Sequence, residues 1–184
     1  MQYIAKDNSG YTEIVTAAEV ITHCYLPSDA STSQINVWIK SARRWVEKYC
    51  GVALVAKTVQ VSYRCFPSSG LGPLHLPLAT ESNNVTSIAY LTTEGDAATI
   101  DISNLVLCNI ATPPYIKPKV TEWPTTGSNI IITYTATQHY DYDIYKPAIM
   151  MLVAHLAENR EIVESKFENS LTNLLSPLRV MYHG

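Results

Sequence analysis

The hydrophobic period of this chain changes at Gly51, and that change limits the folds open to it. Upstream of it, Ile35, Trp38, Ile39, Ala42, Val46 and Tyr49 recur at three- and four-residue spacing, which places them on one stripe of a helix. Ser31 and Gln34 form a capping box before that stripe, and Gly51 suits the left-handed position that closes a helix. Downstream, Val55, Lys57, Val59, Val61 and Tyr63 alternate with other residues, several of them β-branched, as a strand requires. The chain therefore turns from helix to sheet within a few residues.

The same reading extends in both directions. Thr16-Ala17-Ala18-Glu19 is another capping box, predicting a short helix from about Ala17 to Tyr25, with Pro27 ending it. Beyond Tyr63, a Ser/Gly/Pro loop spans Pro67 to Pro73, and His75–Leu78 is a short extended piece. Val85–Thr92 and Ala98–Ile102 flank Thr93-Glu94-Gly95-Asp96, a turn signal that predicts a β-hairpin. Leu105–Ile110 predicts another strand. Ile116–Val120 predicts a weaker one, given an edge position by its prolines. Ile130–Thr135 is the best strand pattern in the chain. Helix returns near Tyr145, with Pro147 in the first turn, where a missing N–H costs nothing. Ile149, Leu152, Val153, Leu156 and Ala157 supply its apolar face. A last short helix is expected over Ser170–Leu175, ended by Pro177.

These elements predict an α+β protein. N- and C-terminal helices would form a helical bundle, with a small antiparallel β domain inserted between them. The division would place residues 1–51 and 138–184 in the helical unit and residues 52–137 in the β insertion.

Composition limits the chemistry. Hydrophobic residues make up 47% of the 184 and charged residues 16%, which is too apolar for a disordered chain. The net charge of −3 lacks the basic surplus with which non-specific nucleic-acid binders neutralise phosphates. Residues 1–10 carry Lys6 and Asp7 and no apolar run, so no signal peptide is expected. No stretch approaches the roughly 18 apolar residues that span a bilayer. Synthesis in the cytosol follows as an expectation, and there Cys24, Cys50, Cys65 and Cys108 would be free and mostly buried thiols.

Catalytic motifs are missing. Neither G-x-S-x-G nor H-E-x-x-H occurs, and no glycine-rich phosphate loop is present. His139, Asp141 and Asp143 alternate as metal or ion ligands would. The alternative is a solvated loop whose acids face a positive helix N-terminus. No metal and no cofactor is expected, and catalytic residues are expected to be none. His155 is read as a packed or interface histidine. His23 and Cys24, adjacent on a helix, diverge by about 100° and make no nucleophile–base pair.

Two surfaces remain. Lys40, Arg44 and Lys48, with Arg43 alongside, form a basic stripe on the polar side of the second helix, interrupted by Glu47. It reads either as a solvated face or as a contact for an acidic partner or passing DNA. The apolar end Leu174-Leu175-Ser176-Pro177-Leu178-Arg179-Val180-Met181-Tyr182 either packs on its own helices or docks onto another chain.

The order of parts resembles the head–tail connector (adaptor) family of tailed bacteriophages, the gp6-like and gp8-like connectors. The resemblance rests on Thr16–Leu26, on Ser41-Ala42-Arg43-Arg44-Trp45-Val46-Glu47-Lys48-Tyr49-Cys50-Gly51-Val52-Ala53-Leu54, and on Trp123-Pro124 before Ile130–Thr135. It continues through Pro147-Ala148-Ile149, Leu152–His155, Glu158–Glu161 and the closing Leu174–Val180. It implies a structural virion protein: a homo-oligomeric ring, twelvefold, below the portal, with a stopper or tail-completion protein on its other side. DNA would pass through the lumen without specific binding, and no membrane would be involved. The C-terminal residues Leu174, Leu175, Pro177, Leu178, Arg179, Val180, Met181 and Tyr182 would dock on the portal, and removing Leu174–Gly184 would spare folding. The competing readings are another neck or tail piece, such as a tail terminator or stopper, and a metal-dependent enzyme built on His139–Asp143.

Overall fold

The computed structural model describes residues 2–27, 29–78, 83–137, 142–159 and 165–180. Its helices are α1 (Ala17–His23), α2 (Thr32–Cys50), α3 (Lys146–Asn159) and α4 (Ser165–Leu175). Its strands are β1 (Gln2–Asp7), β2 (Lys57–Cys65), β3 (Leu74–His75), β4 (Asn83–Leu91), β5 (Ala97–Thr99), β6 (Leu105–Cys108), β7 (Tyr115–Pro118) and β8 (Ser128–Ala136). The protein is a mixed α+β fold with antiparallel sheets.

Local chemistry sets the helix ends. Both arms of the capping box at α1 are made: Thr16 Oγ1 accepts from Glu19 N, and Glu19 Oε2 accepts from Thr16 N at 2.7 Å. Ser31 caps α2 by accepting from Gln34 N, and Gly51 closes it at φ 72°, a conformation costly for a residue with a Cβ. Pro147 lies in the first turn of α3, and α4 stops at Leu175, two residues before Pro177.

The main sheet runs β1-β2-β8-β4-β5, and a second sheet runs β3-β7-β6. Alternation on β2 turns Lys57, Val59 and Val61 inward, while β8 buries Ile130, Ile132, Tyr134 and Ala136. The hairpin expected around Thr93–Asp96 joins β4 to β5. Two expectations need correction. Residues 2–7, read without an element, are strand β1, paired with β2 from Gln2↔Ser62 to Asp7↔Lys57. The prolines of the Ile116 strand suggested an edge, yet β7 is central in its sheet. Pro118 is its last residue and lies beyond the two positions paired with β3.

Buried apolar residues form two clusters. One joins Val20, Ile35, Ile39, Ala42, Val46, Ile149, Val153, Leu171 and Leu175, so α1 to α4 share it. The other joins Val59, Val61, Leu76, Ile88, Ile116, Trp123, Ile130 and Ile132 from the strands. In the second, Trp123 stacks on Phe66 with ring centroids 5.2 Å apart and donates from Nε1 to Gly72 O at 2.7 Å. Among the described residues, no helix is long and apolar enough to cross a membrane.

Candidate functional site: a buried charge cluster, a basic rim and the C-terminal segment

The structure separates the four members of the expected basic stripe. Arg43 is fully buried, which corrects its assignment to a surface contact. It sits one residue from Ala42 on the inward side of α2, where β1 and the loop before α1 cover it. Its Nε donates to Glu13 at 2.8 Å, Nη1 to Glu47 at 2.8 Å, and Nη2 to Asp7 at 2.9 Å. The Tyr11 ring covers the guanidinium, 5.1 Å from centroid to Cζ.

Lys57 completes the cluster. As an inward position of β2 it is buried, and its Nζ bonds Asp7 and, at 3.0 Å, Glu47. Glu47 Oε1 also accepts from Leu54 N at 2.9 Å, which fixes the turn between α2 and β2. Three carboxylates thus face two buried cations, with Arg44 adding a third contact to Asp7 at 3.2 Å. Each buried charge is paired, which is what keeps burial from being prohibitive. Burial alone would raise the Asp7 carboxyl. Hydrogen bonds from Arg43 and Lys57 outweigh that and hold it well below the usual carboxylate range. Burial likewise works against the Arg43 charge, but the Glu47 charge and the bonds to Asp7 and Glu13 raise its proton affinity further.

The other stripe residues stay at the surface. Arg44 is 58% exposed in its side chain and Lys48 is exposed. Lys40 is half-buried, its Nζ 6.0 Å from the Tyr11 ring centroid. Arg44 and Lys48 rim a recess of about 340 Å³ that Tyr3, Ala5 and Leu78 also line.

The C-terminal segment folds back on α2. Leu175 is fully buried, and Leu178 and Val180 are half-buried against the helical core. Val180 N donates to Cys50 O at 2.8 Å, Tyr49 Oη donates to Thr172 O at 3.3 Å, and Arg179 lies over the Tyr49 ring at 5.5 Å. Burying Leu175 is worth about 1.5–3 kcal/mol, so truncation at Leu174 removes a core residue and is expected to destabilise the fold as well as any docking. Leu174, Pro177 and Arg179 are the outward members of the motif. Met181 and Tyr182 lie outside the described residues.

Chemistry elsewhere is sparse. His139 and Asp141 lie outside the described residues, and among those described no group of His, Cys, Asp or Glu could hold a metal. The four cysteines are free, but only Cys50 is fully buried, and Cys65 is exposed. Burial pushes the Cys50 thiol up to about 12. Across the helices, Lys146 Nζ bonds Glu19 at 2.8 Å, holding the Glu19 carboxyl down to about 2 with help from Thr16.

No family model and no curated protein matches the sequence. Solved structures do match. A chain from the neck of an empty gene transfer agent (GTA) particle, computed with C6 symmetry, superposes with a TM-score of 0.73 at 17% identity, covering 98% of this chain and 97% of that one. This chain has the fold of that neck chain. A chain from the virion of the native GTA particle gives a TM-score of 0.68 at 17% identity, over 95% and 97%. One from the native neck, computed with C12 symmetry, gives 0.67 at 16%, over 98% and 97%.

Proposed function

We propose that this chain is a structural subunit of the neck of a tailed, phage-like particle: a head–tail connector (adaptor) that assembles as a ring below the portal. The observation that carries the reading is the fold shared, end to end, with a chain of a GTA neck. The C6 and C12 symmetries of those necks support a homo-oligomeric ring of twelve. The ring joins the DNA-filled head to a stopper or tail-completion protein and leaves a channel for DNA. A net charge of −3 suits a channel that does not hold DNA electrostatically. The protein is made in the host cytoplasm, ends in the virion, and acts without catalysis or cofactor.

The connector reading also proposes a division of labour. The helical unit, residues 1–51 and 138–184, is the ring-forming bundle, and residues 52–137 project from it. The two separate hydrophobic clusters support this division. Strand β1 then belongs to the helical unit by sequence while completing the sheet edge, with the Arg43 cluster bolting the two together. Portal contact falls to the outward residues of the closing motif, Leu174, Pro177 and Arg179, together with Met181 and Tyr182.

Size-exclusion chromatography with light scattering, alone and with the portal of the same particle, tests the reading. A twelvefold mass and co-elution with portal are expected. A protein that stays monomeric and ignores portal defeats it, and a ring that binds only tail-side proteins makes it a terminator or stopper.

A further inference from the structure

The β4–β5 hairpin tip and the recess beside β1 and α2 have opposite charge and lie at opposite corners of one sheet. Thr93, Glu94, Gly95 and Asp96 are all exposed, and a Cβ at Gly95 would meet nothing within 4 Å, so the tip protrudes. It is also firmly built. Thr92 N donates to Asp96 O at 2.9 Å, Gly95 N to Thr92 O at 3.1 Å, and Asp96 N to Thr92 Oγ1 at 3.2 Å.

The recess has the reverse character. Its acids, Asp7 and Glu47, are already engaged by Arg43, Lys57 and Arg44. Its rim adds Arg44 and Lys48, with Lys40 one turn back along α2 from Arg44. Among the described residues, Lys48, Glu94 and Asp96 form no ion pair.

One molecule cannot bring the two together. Four strand spacings separate β1 from β5, and the tip follows Leu91, at the far end of β4 from the Asp7 end of the sheet. At about 4.8 Å per strand and 3.4 Å per residue, knob and socket lie roughly 30 Å apart. Complementary patches at two different places on one chain make a head-to-tail contact, which generates rings or filaments rather than closed dimers.

We infer that the acidic β4–β5 tip (Glu94, Asp96) of one copy docks in the basic-rimmed recess (Arg44, Lys48) of the next copy, forming the subunit contact of a ring. The inference rests on the ring reading above and specifies its interface. Charge complementarity of this kind sets register and suppresses wrong pairings. It also gives the exposed part of the basic stripe an occupant.

Charge reversal with complementation tests it, read by mass photometry at about 0.15 M salt. The knob variant Glu94→Lys/Asp96→Lys lies at an open turn and should melt like the wild type. It is expected to raise the concentration for half-assembly about tenfold or more, because each reversal loses an attraction and adds a repulsion. Arg44→Glu/Lys48→Glu should do the same, and Lys48→Glu alone does so while leaving the Arg44–Asp7 bond intact. Mixing the knob and socket variants should restore rings of alternating chains. A knob variant that assembles as well as the wild type overturns the interface while the ring stands. A wild type that never self-associates overturns interface and ring together.

Discussion

Arg43→Met is the most informative single perturbation. The substitution keeps a long side chain in the site but removes all three charge-assisted bonds, to Asp7, Glu13 and Glu47. Asp7 and Glu47 are then left, both nearly fully buried, with Lys57 as their one buried cation. Breaking a buried pair by deleting one partner typically costs about 3–5 kcal/mol, because it strands an uncompensated charge. That is a large share of the roughly 5–15 kcal/mol that holds a domain folded. For a chain of this length it corresponds to about 6–20 °C in melting temperature. Urea unfolding at pH 7 measures it, and the pH dependence supplies an internal control. Asp7 has its folded carboxyl pKa held below the ordinary 3.8, so the stability it contributes is complete above about pH 4 and is lost as the pH falls further. In the variant that depression is weakened, so the two proteins should converge on acidification. A variant within about 1 kcal/mol of wild type at pH 7, or one whose deficit grows in acid, refutes the role given to the cluster.

Leu175→Ala should cost about 2–5 kcal/mol, whereas Leu174→Ala, 47% exposed, should stay within about 0.5 kcal/mol and weaken only portal co-elution. A methyl at Gly127 would overlap the Phe66 ring and lie 2.9 Å from Tyr90 Cδ2. Gly127→Ala is therefore expected to destabilise by about 1–3 kcal/mol in thermal melts. With a thiol reagent at pH 8, the exposed Cys65 should label first, and Cys50, pushed up to about 12, should label only after unfolding.

The elements with local causes are legible from neighbouring residues alone. Capping at Thr16 and Ser31, the left-handed Gly51, the stripe from Ile35 to Val46 and the alternation along β2 and β8 all act within one turn or one strand, so adjacent residues report them. Which polar groups go inside, and which apolar ones pack on their own chain, depends on contacts between distant segments. Strand β1 has almost no apolar burial of its own, and exists because β2 offers it an edge. Arg43 looked like one cation among four, since little within its own helix marks it as buried. Its acidic partners Asp7 and Glu13 come from 36 and 30 residues away. Two faint signals were present: Glu47 stands four residues on from Arg43, and Lys57 occupies an inward place in an alternating strand. Neither could be read until the sheet and α2 were brought together, because a buried charge is tolerable only where the fold supplies its counter-charge. The closing motif follows the same rule: its apolar pattern fits either its own core or a partner, and the fold gives Leu175 and the Val180–Cys50 bond to its own core while leaving Leu174, Pro177 and Arg179 outward.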